Sequence, residues 1–425
     1  MIAWLLISFF VLLFLGVPIA MSLGLSAIGG ILFLGGGSTV TIAQRMFEGM
    51  NSWALLAIPL YTFAGYTMSK GGISKRLMDF CYSIVGHIYG GLAHVNVLSS
   101  MIFAGIYGSA VADTAGVSGM FMPEMIRKGY SKKFTVAVTA ISSTIGIIIP
   151  PSIPMVVMAG ICGISTGKLF LGGIIPGILC GFAQMVVSYF MAKKEGVEKE
   201  PGHFAIRPVL HGLKESWPAL LMPIIIVGSI TMGIVSPTEA GVIAVAYGLL
   251  AGGVIYRVLT WDDIKFAFCD TVRVSGRIFI VIGAAKLYTI MLTTAGFDKW
   301  MASTMLGFST NPTVILIMIL LLFFIVTMFM ESIATLTLFM PILFPIAMSV
   351  GIDPIVLCVL ITVVIGVGLV TPPVGMCIYV ACDLMDITVG EVFPKLIPFL
   401  IATFICIALM IAFPQLITLP TLLMA

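Results

Sequence analysis

The sequence predicts an all-α polytopic membrane protein, built as an inverted repeat with two re-entrant helical hairpins and two broken helices. Three observations predict it. Of 425 residues, 60% are hydrophobic and only 9% charged, a balance that requires lipid rather than water around much of the surface. Two apolar runs, STIGIIIPPS at 143–152 and GVGLVTPPVG at 366–375, carry glycine, a hydroxyl residue and a double proline where continuous helix would otherwise cross a bilayer. The two runs stand at one fixed spacing, and their neighbourhoods superpose.

The breaks follow from backbone chemistry. Proline lacks an N–H and clashes with the carbonyl one turn earlier, so a double proline ends a helix and frees several carbonyls. At membrane depth such groups persist only against buried protein, a water-filled cavity or a bound ion. Broken helices in corresponding halves of a chain point to a transporter binding site.

An offset of 222 residues carries Ala112 onto Ala334, Pro123 onto Pro345, Gly129 onto Gly351, Gly146 onto Gly368, Pro150 onto Pro372, Pro151 onto Pro373 and Ala159 onto Ala381. Most of these pairs are Gly or Pro, the residues that set backbone shape. Orientation comes from charge. The loop RKGYSKK at 127–133 carries four basic residues, whereas its counterpart around Asp353 carries none, so the first reads as cytoplasmic and the second as external. GGISKRL at 71–77 and AGFDKWM at 295–301 form a weaker echo.

Taken in order, the apolar segments fall at about 2–36, 51–68, 92–111, 134–149, 154–161, 169–192, 217–235, 239–256, 275–292, 313–330, 354–370, 374–382 and 393–418. Segment 2–36 has no basic leader and reads as an uncleaved first membrane segment kinked near Gly16 to Pro18. Several segments fall short of the roughly 20 residues a spanning helix needs and are expected as half-helices or hairpin arms. The first repeat is expected at 1–192, with its hairpin at about 92–128 and its broken helix at about 134–161. The polar stretch 193–215 holds Lys193, Lys194, Lys199, Arg207 and Lys214 and is expected as a cytoplasmic linker. The second repeat then spans 216–425, with its hairpin at about 313–348 and its broken helix at about 354–383.

Each break is preceded by a polar interruption that reads as a hairpin tip. GSAVADTAGVSGM at 108–120 supplies Ser109, Asp113 and Thr114, and MESIATLTLFMP at 330–341 supplies Glu331, Ser332, Thr335 and Thr337. A hard monovalent cation takes oxygen ligands: carbonyls, hydroxyls and one carboxylate. One such set is Ser109, Asp113, Thr114, Ser142 and Ser143 with the carbonyls from Gly146 to Pro150. Its twin is Ser332, Thr335, Thr337 and Thr371 with the carbonyls from Gly366 through Gly368 to Pro372. Single hydroxyls in membrane helices more often bond back to the i−4 carbonyl. An ionisable group there is functional by default, which marks Asp113; Glu331 reads equally as a ligand or a helix cap.

Other function classes fare worse. There is no HExxH or GxSxG, and GICGISTGKL at 160–169 lacks the spacing of a phosphate loop, so ATP hydrolysis is not expected. A net charge of +3, dispersed in short loops, gives no face for nucleic acid. Eight cysteines without a CxxC pair read as small buried hydrophobes, and His87, His94, His203 and His211 show no metal-ligand spacing. Lys286 and Glu239 are candidates to pair with each other, with lipid headgroups or with an anionic substrate; Arg273 and Arg277, four apart on one helical face, are candidate substrate ligands but are expected rather to snorkel at the interface.

The hairpin GSAVADTAGVSGMFMPEMIRKGYS, the run SSTIGIIIPPSIPMVV and the second-half LVTPPVGM together resemble the large membrane subunit of tripartite ATP-independent periplasmic (TRAP) transporters, the DctM-like or SiaM-like family, over essentially the whole chain. The resemblance implies an elevator: hairpins and broken helices as a moving transport domain, the other helices as scaffold. It implies a multi-pass protein of the bacterial inner membrane, coupled to sodium ions, two or more per cycle. The implied partners are a small four-helix membrane subunit, expected as a separate chain, and a periplasmic substrate-binding protein that delivers an organic acid of sialic acid or C4-dicarboxylate type. Substrate would lie between the two cation sites, near Pro151, Ser152, Pro373 and Val374, facing helix N-termini. A self-contained sodium/carboxylate symporter of the same architecture is the alternative, and a channel or scaffold without coupled transport is a further class.

Overall fold

In a computed structural model, the described residues are 1–34, 39–197 and 205–424. Lys199 and His203 lie outside them. The described chain is helical throughout, and six helices are long and apolar enough to cross a membrane. The protein is thus an all-α polytopic membrane protein.

The first half comprises α1 (Ile2–Phe14), α2 (Ile19–Leu34), α3 (Thr39–Met50), α4 (Ala57–Lys70), α5 (Ile73–Val85), α6 (Gly91–Tyr107), α7 (Ala110–Arg127), α8 (Lys132–Ser142), α9 (Ile153–Cys162) and α10 (Thr166–Lys194). The second comprises α11 (Ile206–Thr231), α12 (Pro237–Leu250), α13 (Trp261–Thr294), α14 (Phe297–Phe308), α15 (Pro312–Thr327), α16 (Ser332–Ser349), α17 (Pro354–Gly368), α18 (Met376–Met385), α19 (Val389–Ala412) and the short α20 (Gln415–Thr418).

Two expectations are corrected. Segment 2–36 is not one kinked helix: Gly16 adopts φ +81°, Pro18 follows, and the chain reverses, so that Trp4 Nε1 donates to the Ser26 carbonyl at 3.3 Å and α1 lies along α2. A left-handed glycine two residues before a proline turns a chain rather than bending it. The stretch 193–215 is not a loop beyond Ala205, because α11 starts at Ile206 and runs on through Lys214.

Helix register reproduces the sequence offset. α7 and α16 start 222 residues apart, as do α8 and α17. Gly129 and Gly351, which end α7 and α16, take φ +84° and +80°. Gly72 and Gly296, at the weaker echo, both open a helix at φ +74° and +83°. Both double prolines contain a cis bond.

Packing between the halves is reciprocal. α7 packs on α18 while α16 packs on α9; α8 packs on α19 while α10 packs on α17; α4 packs on α12 while α13 packs on α2. α10 cradles the first break with a row of glycines at four-residue spacing, the arrangement by which membrane helices approach most closely. A Cβ on Gly173 would collide with the Ile148 carbonyl oxygen, one on Gly177 with Ile149 Cγ1, and one on Gly181 with Met101 Sδ.

The carbonyl facing Gly173 is backbone and cannot swing aside. Gly173→Ala is therefore expected to lower stability by roughly 1–3 kcal/mol, read as a lower thermal midpoint of the purified protein in detergent. Gly228→Ala, which meets open space, serves as control and should leave the midpoint unchanged or slightly higher.

Candidate functional site

Each break is tied to the tip of the hairpin before it. In the first half, Gly108 takes φ +61°, its carbonyl accepts from Ile153 N at 3.2 Å, and a Cβ there would lie 2.7 Å from the Pro151 oxygen. In the second, the Met328 carbonyl accepts from Val374 N at 3.0 Å. A backbone amide freed just past each double proline is thereby paired with a carbonyl freed at a hairpin tip.

The first tip and break enclose Asp113. It sits in the first turn of α7, fully buried, and neither carboxyl oxygen has a hydrogen-bond partner. The Ser100 and Ser143 hydroxyls face it without hydrogen-bonding geometry. Gly146 lies against it: a Cβ on Gly146 would stand 3.5 Å from Asp113 Cβ and 3.7 Å from the Ser109 carbonyl oxygen. A side chain there would crowd the carboxyl, so the glycine lets the break approach the tip. Thr114, one residue on, faces Cys377 at the start of α18. Of the expected first set, the structure gathers Ser109, Asp113, Ser143 and Gly146, with Thr114 and Ser142 in the layer around them.

Ser142 belongs to a buried chain of hydrogen bonds that the sequence reading missed. Its Oγ donates to Asn96 Oδ1 at 2.9 Å, Ser100 Oγ lies 3.3 Å from Ser142 Oγ, and Asn96 Nδ2 donates to Thr139 Oγ1 at 2.7 Å. The available signal was the helical spacing of Asn96 and Ser100 and of Thr139 and Ser143 within apolar runs.

The hydroxyls themselves bond back as membrane hydroxyls do. Thr114 donates to Ala110 O (2.9 Å), Ser143 to Thr139 O (2.8 Å), Thr335 to Glu331 O (3.0 Å), Thr337 to Ile333 O (2.8 Å) and Thr371 to Val367 O (2.7 Å). Each donor is thereby used, and each oxygen keeps a lone pair for a cation.

The second half is built differently. Glu331 is the N-cap of α16: Oε2 accepts from Ile333 N at 2.9 Å and Ala334 N at 3.2 Å, and Oε1 accepts from Ser332 Oγ at 2.7 Å. Of the two open readings of Glu331, the cap is what the geometry displays. The hairpin meets its break through Thr327 and Met328, upstream of the expected residues; a Cβ on Gly368 would fall on Thr327 Oγ1. Gly366 reaches across to the first half, 3.5 Å from the Thr144 carbonyl oxygen at its Cβ position. Thr327 and Thr144 were not singled out from sequence, because lone threonines in apolar runs carry no pattern.

The four expected substrate residues fall in two environments. Pro151 and Ser152 are buried, with Ser152 Oγ donating to Ile147 O at 2.5 Å and capping α9 through Met155 N. Pro373 and Val374 are exposed, beside a cleft of about 490 Å³ lined by Met328, Thr371, Pro372, Tyr379, Phe393 and Pro394. Other expected partners separate: Glu239 forms a capping box with Ser236, Lys286 lies on α13 against Gly49, and Arg273 pairs with Asp270 at 3.2 Å. Among the described residues no group of three or more His, Cys, Asp or Glu forms a metal cluster, and all eight cysteines are free thiols.

Because Glu331 holds two amide donors, Glu331→Ala is expected to cost about 1 kcal/mol of stability, seen as a lower thermal midpoint, with Glu331→Asp retaining most of it. An unchanged midpoint for Glu331→Ala would show that the cap is not needed.

This chain is 36% identical over 404 residues to the sialic acid TRAP transporter large permease protein SiaM of Vibrio cholerae, covering 95% of this chain and 94% of that protein. It is 35% identical to the C4-dicarboxylate TRAP transporter large permease protein DctM of Pseudomonas aeruginosa, covering 89% and 88%. It is also 35% identical to the isethionate TRAP transporter permease protein DctMQ of Oleidesulfovibrio alaskensis, where it spans 63% of that longer protein. The fold is like that of the YdaH transporter of Alcanivorax borkumensis, with TM-score 0.60 and 15% identity over 87% of this chain and 86% of that one. Residues 6–416 match the family described as the tripartite ATP-independent periplasmic transporter, DctM component, and the chain belongs to that family as a membrane permease subunit.

Proposed function

We propose that this subunit imports an organic acid across the bacterial inner membrane by sodium-coupled, elevator-type transport, taking its substrate from a periplasmic binding protein. The observation that carries the coupling is Asp113. A buried carboxylate with both oxygens unpartnered is costly in a membrane unless a cation joins it. Ser109, Ser143 and the carbonyls near Gly146 to Pro150 supply the remaining oxygens a hard monovalent cation prefers. The second site takes Thr335, Thr337, Thr371 and the carbonyls from Gly366 to Pro372, with Glu331 shaping the tip rather than binding the ion.

In this reading residues 1–192 and 216–425 are inverted repeats joined by 193–215, whose last residues are the first turns of α11, and α6–α10 with α15–α19 move against the rest. Smooth apolar contact supports the motion. Ile153, Val157 and Ile333 of the moving part pack on Leu55, Ile58 and Ile282 of the scaffold. The substrate meets the N-terminal ends of α9 and α18, whose dipoles favour a carboxylate. The substrates for which the relatives are named, sialic acid, C4-dicarboxylates and isethionate, are all organic acids, which supports the class. The expected partners are a small four-helix membrane subunit and the binding protein.

The test is uptake of a panel of organic acids into proteoliposomes holding this chain and its small subunit, with binding protein outside and an imposed sodium gradient. Uptake should require all three, and Asp113→Ala should reduce its sodium-dependent part by at least about tenfold, the scale of one lost charge contact. Equal uptake without binding protein would favour the self-contained symporter, and uptake indifferent to the gradient would remove coupling altogether.

A further inference from the structure

Asp113 is the inner end of a polar column that the second half lacks. On α8 and the turn that continues it, Thr135, Thr139, Ser142 and Ser143 repeat at helical spacing on one face, from one turn inside the exposed Lys132 and Lys133 to the break. That stripe is about 12 Å long at 1.5 Å per residue. Opposite it, α6 presents Asn96 and Ser100, joined to α8 by the bonds already described. α10 closes the third side with Gln184, whose Nε2 donates to the Ile141 carbonyl at 3.3 Å, and with Ser188 one turn on. All are buried.

The column is incompletely paired. Besides both Asp113 oxygens, Thr135 Oγ1, Gln184 Oε1 and Ser188 Oγ have no partner, although each is fully buried. Buried polar atoms are ordinarily satisfied, and in a polar lining the missing partner is water.

The equivalent positions of the second half are apolar. Register set by the tip bonds places Leu316 and Leu320 of α15 opposite Asn96 and Ser100 in the repeat. Likewise Leu357, Ile361 and Val364 of α17 stand for Thr135, Thr139 and Ser142. Aligned on the starts of α10 and α19, Ile407 and Ile411 stand for Gln184 and Ser188. A fold that packs equally well with isoleucine here does not need the hydroxyls for packing.

We propose that this column is a hydrated path through which water and a monovalent cation pass between Asp113 and the membrane face bearing the basic loop 127–133. The first cation site then exchanges with that face through the protein interior, and the second has no such route. This rests on the reading of Asp113 as a cation ligand, but its geometry can be tested separately.

Thr139→Cys, Thr135→Cys and Ile361→Cys are made in the full chain, and membrane vesicles of either orientation are treated with a small quaternary-ammonium methanethiosulfonate. Modification of each site is followed by peptide mass spectrometry. The reagent carries a fixed positive charge and reacts with a thiolate, which forms where water reaches the thiol. The thiols of Thr139→Cys and Thr135→Cys should react at least about tenfold faster than that of Ile361→Cys from the basic-loop face, and sodium in place of choline should slow them. Equal, slow modification in all three variants overturns the column; fast modification from the opposite face overturns its sidedness; fast modification without sodium protection overturns the cation route. Two column positions guard against one variant failing to fold. Loss of coupling in Asp113→Ala is read in uptake, so failure of the ligand assignment and failure of the column are distinct results.

Discussion

Backbone pairing at the double prolines governs this fold. Breaking a helix inside a membrane frees amides and carbonyls that lipid cannot satisfy, and here the hairpin tips supply partners. Ile153 N meets Gly108 O, and Val374 N meets Met328 O. These two bonds place each tip against its break. The polar contacts around them follow: Asp113 beside Gly146, Thr327 beside Gly368, and the cleft at Thr371 and Pro372. The glycines of α10 then let a long helix close over the first break without disturbing it.

Within that shared frame the halves diverge in chemistry. The first tip carries its carboxylate one turn inside α7, unpartnered; the second carries it at the cap of α16, spent on two amides and a hydroxyl. A charge at the cap organises backbone, whereas a charge one turn further in is held out for something else. The surroundings agree with this division, since hydroxyls and amides line one side and branched aliphatics the other. The two halves share a backbone frame and differ in the side chains set on it.

The features legible in the sequence are those written by local rules. Double prolines, left-handed glycines and the polar tips recur at a fixed offset, and their backbone consequences need no knowledge of the partner helix. The α1–α2 reversal was harder to read, because Gly16 and Pro18 fit a kink as well as a turn and only Trp4 meeting Ser26 decides between them. The first turns of α11, up to Glu215, were read as linker because they carry charge, which a helix projecting beyond the bilayer tolerates. The Asn96 to Thr139 chain was missed for a different reason: the helical spacing within α6 and within α8 was there to read, but that the two polar faces meet is decided only by packing. Glu331 was legible as a choice between two roles, and the amides at the start of α16 decide it.

Reciprocal packing also sets a timetable for biogenesis. α9 buries one face on α16, so that face has no partner until synthesis has passed Ser349, nearly half the chain later than Cys162. At bacterial rates of about 5–20 residues per second the interval is roughly 10–40 s. During it a short broken helix with freed backbone groups must be sheltered by the insertion machinery or by neighbouring helices of its own half. Reciprocal packing thus brings an obligation in time as well as symmetry in space: the first half must wait, half-assembled, for the second.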